Sequence, residues 1–255
     1  MYERKKFNHL WDSKMDPFRI AGNVYFVGTF QASSHLIDTG DGLILIDTGY
    51  LDSFFLVIHS IHALGFDPKD VKYIINTHWH YDHTEATAAM TALCGAKTLI
   101  GRDDYDKALR YFTPDICVKD GDTLSLGNTT ITFMETPGHT KGTISLFFNT
   151  EENGKTYRVG MFGGAGANTL AKDSFDYEGC REGYLNSLNR LRGEKVDIFI
   201  GNHVWNNDTY EKGKLLLETG ENRFFDAGIW GTFLDFCEER LNKVIAAEQE
   251  ETQNV

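Results

Sequence analysis

Thr77–His83 reads THWHYDH and follows the apolar run Val71, Tyr73, Ile74 and Ile75. Three histidines and an aspartate stand in that heptapeptide, a density of ligand-type side chains with little structural use. His78 and His80 are two residues apart, so at the end of an extended strand both imidazoles point the same way. Asp82 and His83 come where the chain must turn into a helix. Nitrogen and carboxylate donors in this order suit transition metals, and four of them can feed two adjacent ions.

Working outward, the segments NVYFVG, SHLIDT and LILID read as three short strands, with Thr39, Gly40, Asp41 and Gly42 supplying hairpin turn chemistry. Leu56, Ile58, Ile61 and Leu64 have helical spacing, and Gly65 stands where a C-terminal cap belongs. Thr84 is placed to cap a helix that Gly95 ends, and a strand over 98–100 follows. From 116 to 162 the pattern becomes mostly β, with runs at 122–126, 130–135, 143–149 and 156–162, which implies a second sheet. Helices are expected near 179–192, 209–219 and 231–248, interrupted by a strand over 196–200. The last helix places Phe233, Phe236, Cys237, Leu241 and Val244 on one docking face. Two sheets with helices in each half predict an α/β chain folded as a four-layer αββα sandwich. The expected organisation is a single domain over 1–255, with an N-terminal extension over 1–20 and a polar tail over 249–255.

Composition narrows the function classes. Hydrophobic residues make up 41% and charged residues 24%, ordinary for a globular chain, and 18 Phe with 11 Tyr suit a sheet-rich interior. Acids outnumber bases 37 to 25, for a net charge of −12, which argues against a nucleic-acid partner. No apolar stretch approaches bilayer length and the basic N-terminus lacks a following apolar region, so no membrane partner is expected. The sequence as it stands reads as cytoplasmic, or as periplasmic or secreted if a leader is cleaved. Cys94, Cys117, Cys180 and Cys237 are scattered, without a CxxC pair, and read as buried free thiols rather than a disulfide frame. The oligomeric state is not legible, and the expected partner is a small-molecule substrate.

Of the nine histidines, two more stand after predicted strands: His139 in TPGHTKG and His203 in IGNHVW. Side chains gathered from several strand ends at one edge of a sandwich make a rigid site, because strands fix their positions. With His78, His80, Asp82 and His83 they give six candidate ligands.

HxHxDH, the later PGHT, GNH and LIDTG around Asp47 closely resemble the metallo-β-lactamase superfamily over nearly the whole chain. The resemblance implies that His78, His80 and His139 hold one zinc and that Asp82, His83 and His203 hold a second. It also implies that Asp47 fixes the orientation of a metal-holding histidine, with a turn-forming role in DTG as the rival. Many hydrolases of the superfamily, lactonases among them, place a metal-bridging aspartate after the strand that here ends at Phe162, whereas this chain has Gly163-Gly164. A site without that bridge and without a cysteine ligand resembles the third subclass of class B β-lactamases, as do DIFIGNH, KLLLETGENRFFD and GNVYFVGTFQASSHLI. Members of that subclass usually carry a serine where Gly164 stands, which leaves Asn168 and Thr169 as nearby polar candidates for substrate binding. Secreted members often have a disulfide whose first cysteine position is occupied here by Val196.

Two zinc ions in such a site lower the pKa of water to about 7, making hydroxide available at neutral pH for attack on a lactam carbonyl. Asp82 would orient the nucleophile or shuttle its proton, and His139 with Asp82 would carry catalysis. A lactone, thioester or other ester hydrolase using the same hydroxide is the alternative. Trp79 and Tyr81 alternate with the ligands, as core anchors or as walls of the substrate cleft, and Trp205 after His203 is similar. Asn168 has a loop-stabilising role as its rival. His59 and His62 read as an exposed pair, and His9 and His35 as structural. Gly160, Gly163, Gly164 and Gly166 lack phosphate-loop spacing and read as sites of close backbone packing.

Overall fold

The apolar runs that precede the ligand cluster are continuous rather than alternating, the pattern of strands covered on both faces. The computed structural model describes Phe7 and residues 9–253. Its first sheet takes β1 (Phe18–Ala21), β2 (Val24–Phe26), β3 (His35–Asp38) and β4 (Leu43–Ile46) as an antiparallel meander. After α1 (Phe54–Ala63) the chain returns as β5 (Val71–Ile75), parallel to β4. The short helices α2 (Tyr81–Thr84) and α3 (Thr87–Cys94) then lead to β6 (Lys97–Gly101), and α4 (Tyr105–Ala108) leads to β7 (Ile116–Val118). Both strands extend the sheet in parallel, so the strands lie in sequence order from β1 to β7.

The second sheet is β8 (Thr123–Leu126), β9 (Thr129–Glu135), β10 (Ile144–Glu152) and β11 (Lys155–Met161), antiparallel throughout, closed by β12 (Ile198–Phe199) parallel to β11. α5 (Cys180–Leu191) precedes β12, and α6 (Thr209–Thr219) and α7 (Ala227–Gln253) end the chain.

Alternation along each strand divides the core into layers. Ile44 and Ile46 of β4 meet Ile131, Phe133, Leu146 and Phe148 between the sheets. Leu43 and Leu45 turn the other way, onto Val57 and Ile61 of α1 and Met90 of α3. On the far side Phe147 and Phe199 pack under Tyr184 and Leu188 of α5 and Trp230, Phe233 and Leu241 of α7. This is the expected four-layer sandwich.

Four details differ from the sequence reading. Residues 18–21 belong to no separate extension: they form β1, and Phe18 and Ile20 are buried between the sheets. Residues 116–118 join the first sheet, since three residues carry too little pattern to choose between two sheets. α7 runs through most of the expected polar tail, to Gln253. On its docking face Phe236 is 47% exposed while Phe233, Cys237 and Leu241 are buried. Residues 1–6 and 8 of the expected extension and 254–255 of the tail lie outside the described residues. All four cysteines are free, with Cys180 and Cys237 buried and Cys94 and Cys117 half-buried. No helix among the described residues is long and apolar enough to cross a membrane.

Candidate metal centre

Six loops meet at one edge of the sandwich, and each leaves the C-terminal end of a strand: β4, β5, β6, β9, β11 and β12. Carboxyl ends of strands are where open α/β sheets place their sites. The Ile144 amide of the second sheet donates to the Thr77 carbonyl at 3.0 Å, which joins the two sheets at the ligand cluster. A Cβ at Gly163 would lie 2.0 Å from the Ile144 carbonyl oxygen, so only glycine admits this approach.

Asp47 follows β4 in the left-handed region, φ 55°, which a short polar side chain tolerates better than most. Its carboxylate accepts the Thr77 amide at 2.7 Å, the Thr77 hydroxyl at 2.8 Å and His83 Nδ1–H at 2.8 Å. Because the Thr77 hydroxyl spends its proton on Asp47, its oxygen is left to accept from His78 Nδ1 at 3.1 Å. His139 Nδ1 faces the Gly166 carbonyl at 2.8 Å, and His203 Nδ1 faces the Gln31 carbonyl at 3.2 Å. Carbonyls and carboxylates only accept, so each of these four rings carries its proton on Nδ1 and presents an Nε2 lone pair.

Those lone pairs converge. His83 Nε2 and His203 Nε2 are 3.3 Å apart, and Asp82 Oδ2 is 3.6 Å from each. Donor atoms of His78, His80 and His139 lie within 4.8 Å of one another, with His80 Nδ1 only 2.9 Å from His139 Nε2. His78 Nε2 is buried without a hydrogen-bond partner. Acceptors facing acceptors in a buried site call for a cation between them, and these donors, nitrogen and carboxylate, suit zinc. Burial and the neighbouring rings push His78 well down, and burial first of all brings His139 and His203 to about 3 and His80 to about 4, so these four rings stay neutral. His83 moves the other way: burial opposes it, but the carboxylates of Asp82 and Asp47 raise it. Burial would also raise Asp82, yet the surrounding histidines hold it below the usual range.

Asp104 has no counterpart in the sequence reading. It is fully buried, and it accepts the Trp79 amide at 3.0 Å, the Thr140 hydroxyl at 2.7 Å and the Gly142 amide at 2.8 Å. One carboxylate thus ties the loop of His80 to the loop of His139. Burial raises it to about 6 in spite of these bonds.

The cluster opens into a cavity of about 190 Å³ lined by His80, Asp82, His139 and His203 together with Tyr50, Tyr81, Asn168, Trp205 and Arg240. Trp205 stacks on His203 at 4.2 Å, and Tyr50 meets Tyr81 edge-on at 5.5 Å. Two expected substrate contacts are elsewhere. Thr169 lies behind His139, where its hydroxyl donates to the His139 carbonyl at 2.7 Å and approaches Nδ1 at 3.1 Å. Trp79 anchors the core instead: its Nε1 donates to Asp176 at 3.1 Å, and its ring packs on Ile100, Ala108 and Phe112 under Lys107 and Arg110. His9, His59 and His62 are exposed and distant from any cluster of ligands, and His35 is buried in β3.

Gly164 does not leave space for a missing serine. A Cβ there would sit 2.7 Å from both the Oγ1 and Cγ2 of Thr143 and 3.0 Å from the His139 Cβ. Thr143 is buried and bonded to Thr140, so it cannot simply turn away. Gly164→Ser is expected to lower stability by about 1–3 kcal/mol through overpacking, read as a fall in thermal midpoint, with no gain in substrate affinity. An unchanged midpoint would show that the loop has slack.

A family model described as the metallo-beta-lactamase superfamily matches residues 27–203. Among solved structures, BJP-1 of Bradyrhizobium japonicum, a subclass B3 metallo-beta-lactamase, superposes with a TM-score of 0.87 at 27% identity, over 95% of this chain and 98% of that one. The metallo-beta-lactamase GOB-18 of Elizabethkingia meningoseptica gives 0.82 at 31% identity, over 96% and 98%. Among curated proteins, the N-acyl homoserine lactonase AiiA of Bacillus thuringiensis subsp. kurstaki is 25% identical over 211 residues, 67% of this chain and 80% of that protein.

Proposed function

Since the chain belongs to the metallo-β-lactamase superfamily of hydrolases, we propose that it is a two-zinc enzyme that opens β-lactam rings, with degradation of β-lactam antibiotics as the consequence for a host cell. His78, His80 and His139 would hold one zinc, and Asp82, His83 and His203 the other. When bound, the metals supply hydroxide at neutral pH and stabilise negative charge developing on the carbonyl oxygen.

The chain's own residues do the rest. Asp47 accepts the Nδ1–H of His83 directly and holds the Thr77 hydroxyl so that its oxygen accepts the Nδ1–H of His78, which fixes both rings in the metal-holding tautomer. Asp82 directs Oδ2 at the two histidines, leaving Oδ1 to accept a proton from the attacking water. Asp104 keeps the His80 and His139 loops in fixed relation. Tyr50, Tyr81 and Trp205 offer aromatic walls to the groups flanking the ring.

Support for a lactam over a lactone comes from the glycine pair at 163–164. The lactonases of the superfamily carry a bridging aspartate after this strand, and here no side chain at all reaches from that position toward the histidines. The likeness to BJP-1, a subclass B3 metallo-beta-lactamase, over 95% of this chain also supports the lactam reading. A lactone or thioester hydrolase is the second reading, favoured by the similarity to AiiA. Zinc-loaded protein should hydrolyse a chromogenic cephalosporin and lose that activity to a chelator. Turnover of an N-acyl homoserine lactone or a thioester, with no β-lactam cleaved, would establish the second reading instead.

A further inference from the structure

Arg240 is the one Lys or Arg side chain lining the cavity that contains His80, Asp82, His139 and His203. It is half-buried, and it projects from α7, far in sequence from every metal-holding residue. Four of the six acids of α7 are engaged with other cations. Asp235 and Glu238 close on Arg192 at 2.9 and 2.6 Å, Glu248 closes on Arg181, and Glu239 pairs with Lys243. No carboxylate among the described residues pairs with Arg240, whose contact is the ring of Phe236, 5.7 Å from the guanidinium. A cation kept free of carboxylates on an otherwise acidic chain, facing a reaction cleft, is placed to receive an anion.

Three other positions beside the histidines offer no free donor. A side chain at 164 is excluded by Thr143 and His139. The Thr169 hydroxyl is committed to His139, and the Asn202 amide donates to the Gly163 carbonyl at 2.6 Å. Asn168, exposed at the cavity, is one of the neutral donors that also line it, with Asn206 and the tyrosines, but none of these carries a charge to match an anion.

We propose that Arg240 determines specificity in this cleft, binding a carboxylate carried by the substrate next to the scissile amide. The inference rests on the β-lactam hydrolase function proposed above and makes it narrower: the preferred substrates are anionic, and neutral lactones are disfavoured. It also gives α7 a contact to the substrate, where the crowding at Gly164 admits no side chain.

The test compares wild type, Arg240→Ala and Arg240→Lys on a penicillin and on its neutral methyl ester, and measures binding of the ring-opened penicillin product by calorimetry. With a charged hydrogen bond at stake, Arg240→Ala should raise KM for the acid about tenfold or more while kcat stays within about twofold. KM for the ester should not move, which also certifies the fold of the variant. Arg240→Lys should recover part of the acid's affinity, and product binding should weaken in Arg240→Ala by a similar factor. An acid-to-ester KM ratio equal in wild type and Arg240→Ala would overturn the proposal. If wild type cleaves neither compound, the β-lactamase function fails, and calorimetry then decides Arg240 separately: binding of the ring-opened product that is absent, or unchanged in Arg240→Ala, refutes it.

Discussion

His139→Ala is expected to abolish cephalosporin hydrolysis, with a loss well beyond the 10- to 100-fold, or about that, caused by removing only the hydrogen-bond partner of a metal-holding histidine. His139 is 6% exposed, its Nδ1–H is anchored on the Gly166 carbonyl, and its Nε2 stands 2.9 Å from His80 Nδ1. Alanine removes one donor of a three-donor set and leaves a hole in a closely packed region, where a Cβ built on Gly166 would lie 3.0 Å from His139 Cε1 and one built on Gly164 would lie 3.0 Å from the His139 Cβ. Steady-state rates with circular dichroism as a fold control decide the matter. Activity within tenfold of wild type in a folded variant would remove His139 from the site.

Asp47→Asn should weaken zinc binding by about 10- to 100-fold, measured by competition with a chromophoric chelator. Asparagine tolerates the left-handed backbone at this position, so the variant changes the hydrogen bonding and little else. The carboxylate accepts three donors from Thr77 and His83, whereas an amide offers one oxygen and must point an N–H at a group that is itself a donor. His83 would then turn its proton from Nδ1 to Nε2, the atom required for metal. Unchanged affinity would leave Asp47 with only its alternative role as a turn former.

The contrast between Asp47 and Asp104 explains how much of the site is legible in the sequence. Asp47 stands in LIDTG, directly after an apolar run, and THWHYDH has a spacing that only a strand end turns into convergent imidazoles. Local pattern therefore carries the metal centre and, through the apolar runs, the sandwich. Asp104 binds backbone amides and a hydroxyl 25 to 38 residues away, and nothing in its own neighbourhood marks it. Arg240 is similar: an arginine on a long helix has no motif, and its meaning comes from the loops that α7 happens to cover. Trp79 and Thr169 stand beside the right residues, but their side chains leave the cleft because Asp176 and the His139 backbone offer them better partners. Proximity in sequence fixes which loop a residue belongs to, and the packing of that loop decides which way the side chain faces. For β1 and β7 the limit is length, since strands of three or four residues show too few alternations to assign a sheet.

The most direct test of a dinuclear centre is the zinc content of protein purified in the presence of zinc and freed of loose metal, determined by elemental analysis against chain concentration. Two zinc ions per chain are expected, one for His78, His80 and His139 and one for Asp82, His83 and His203. One zinc or none per chain would contradict it.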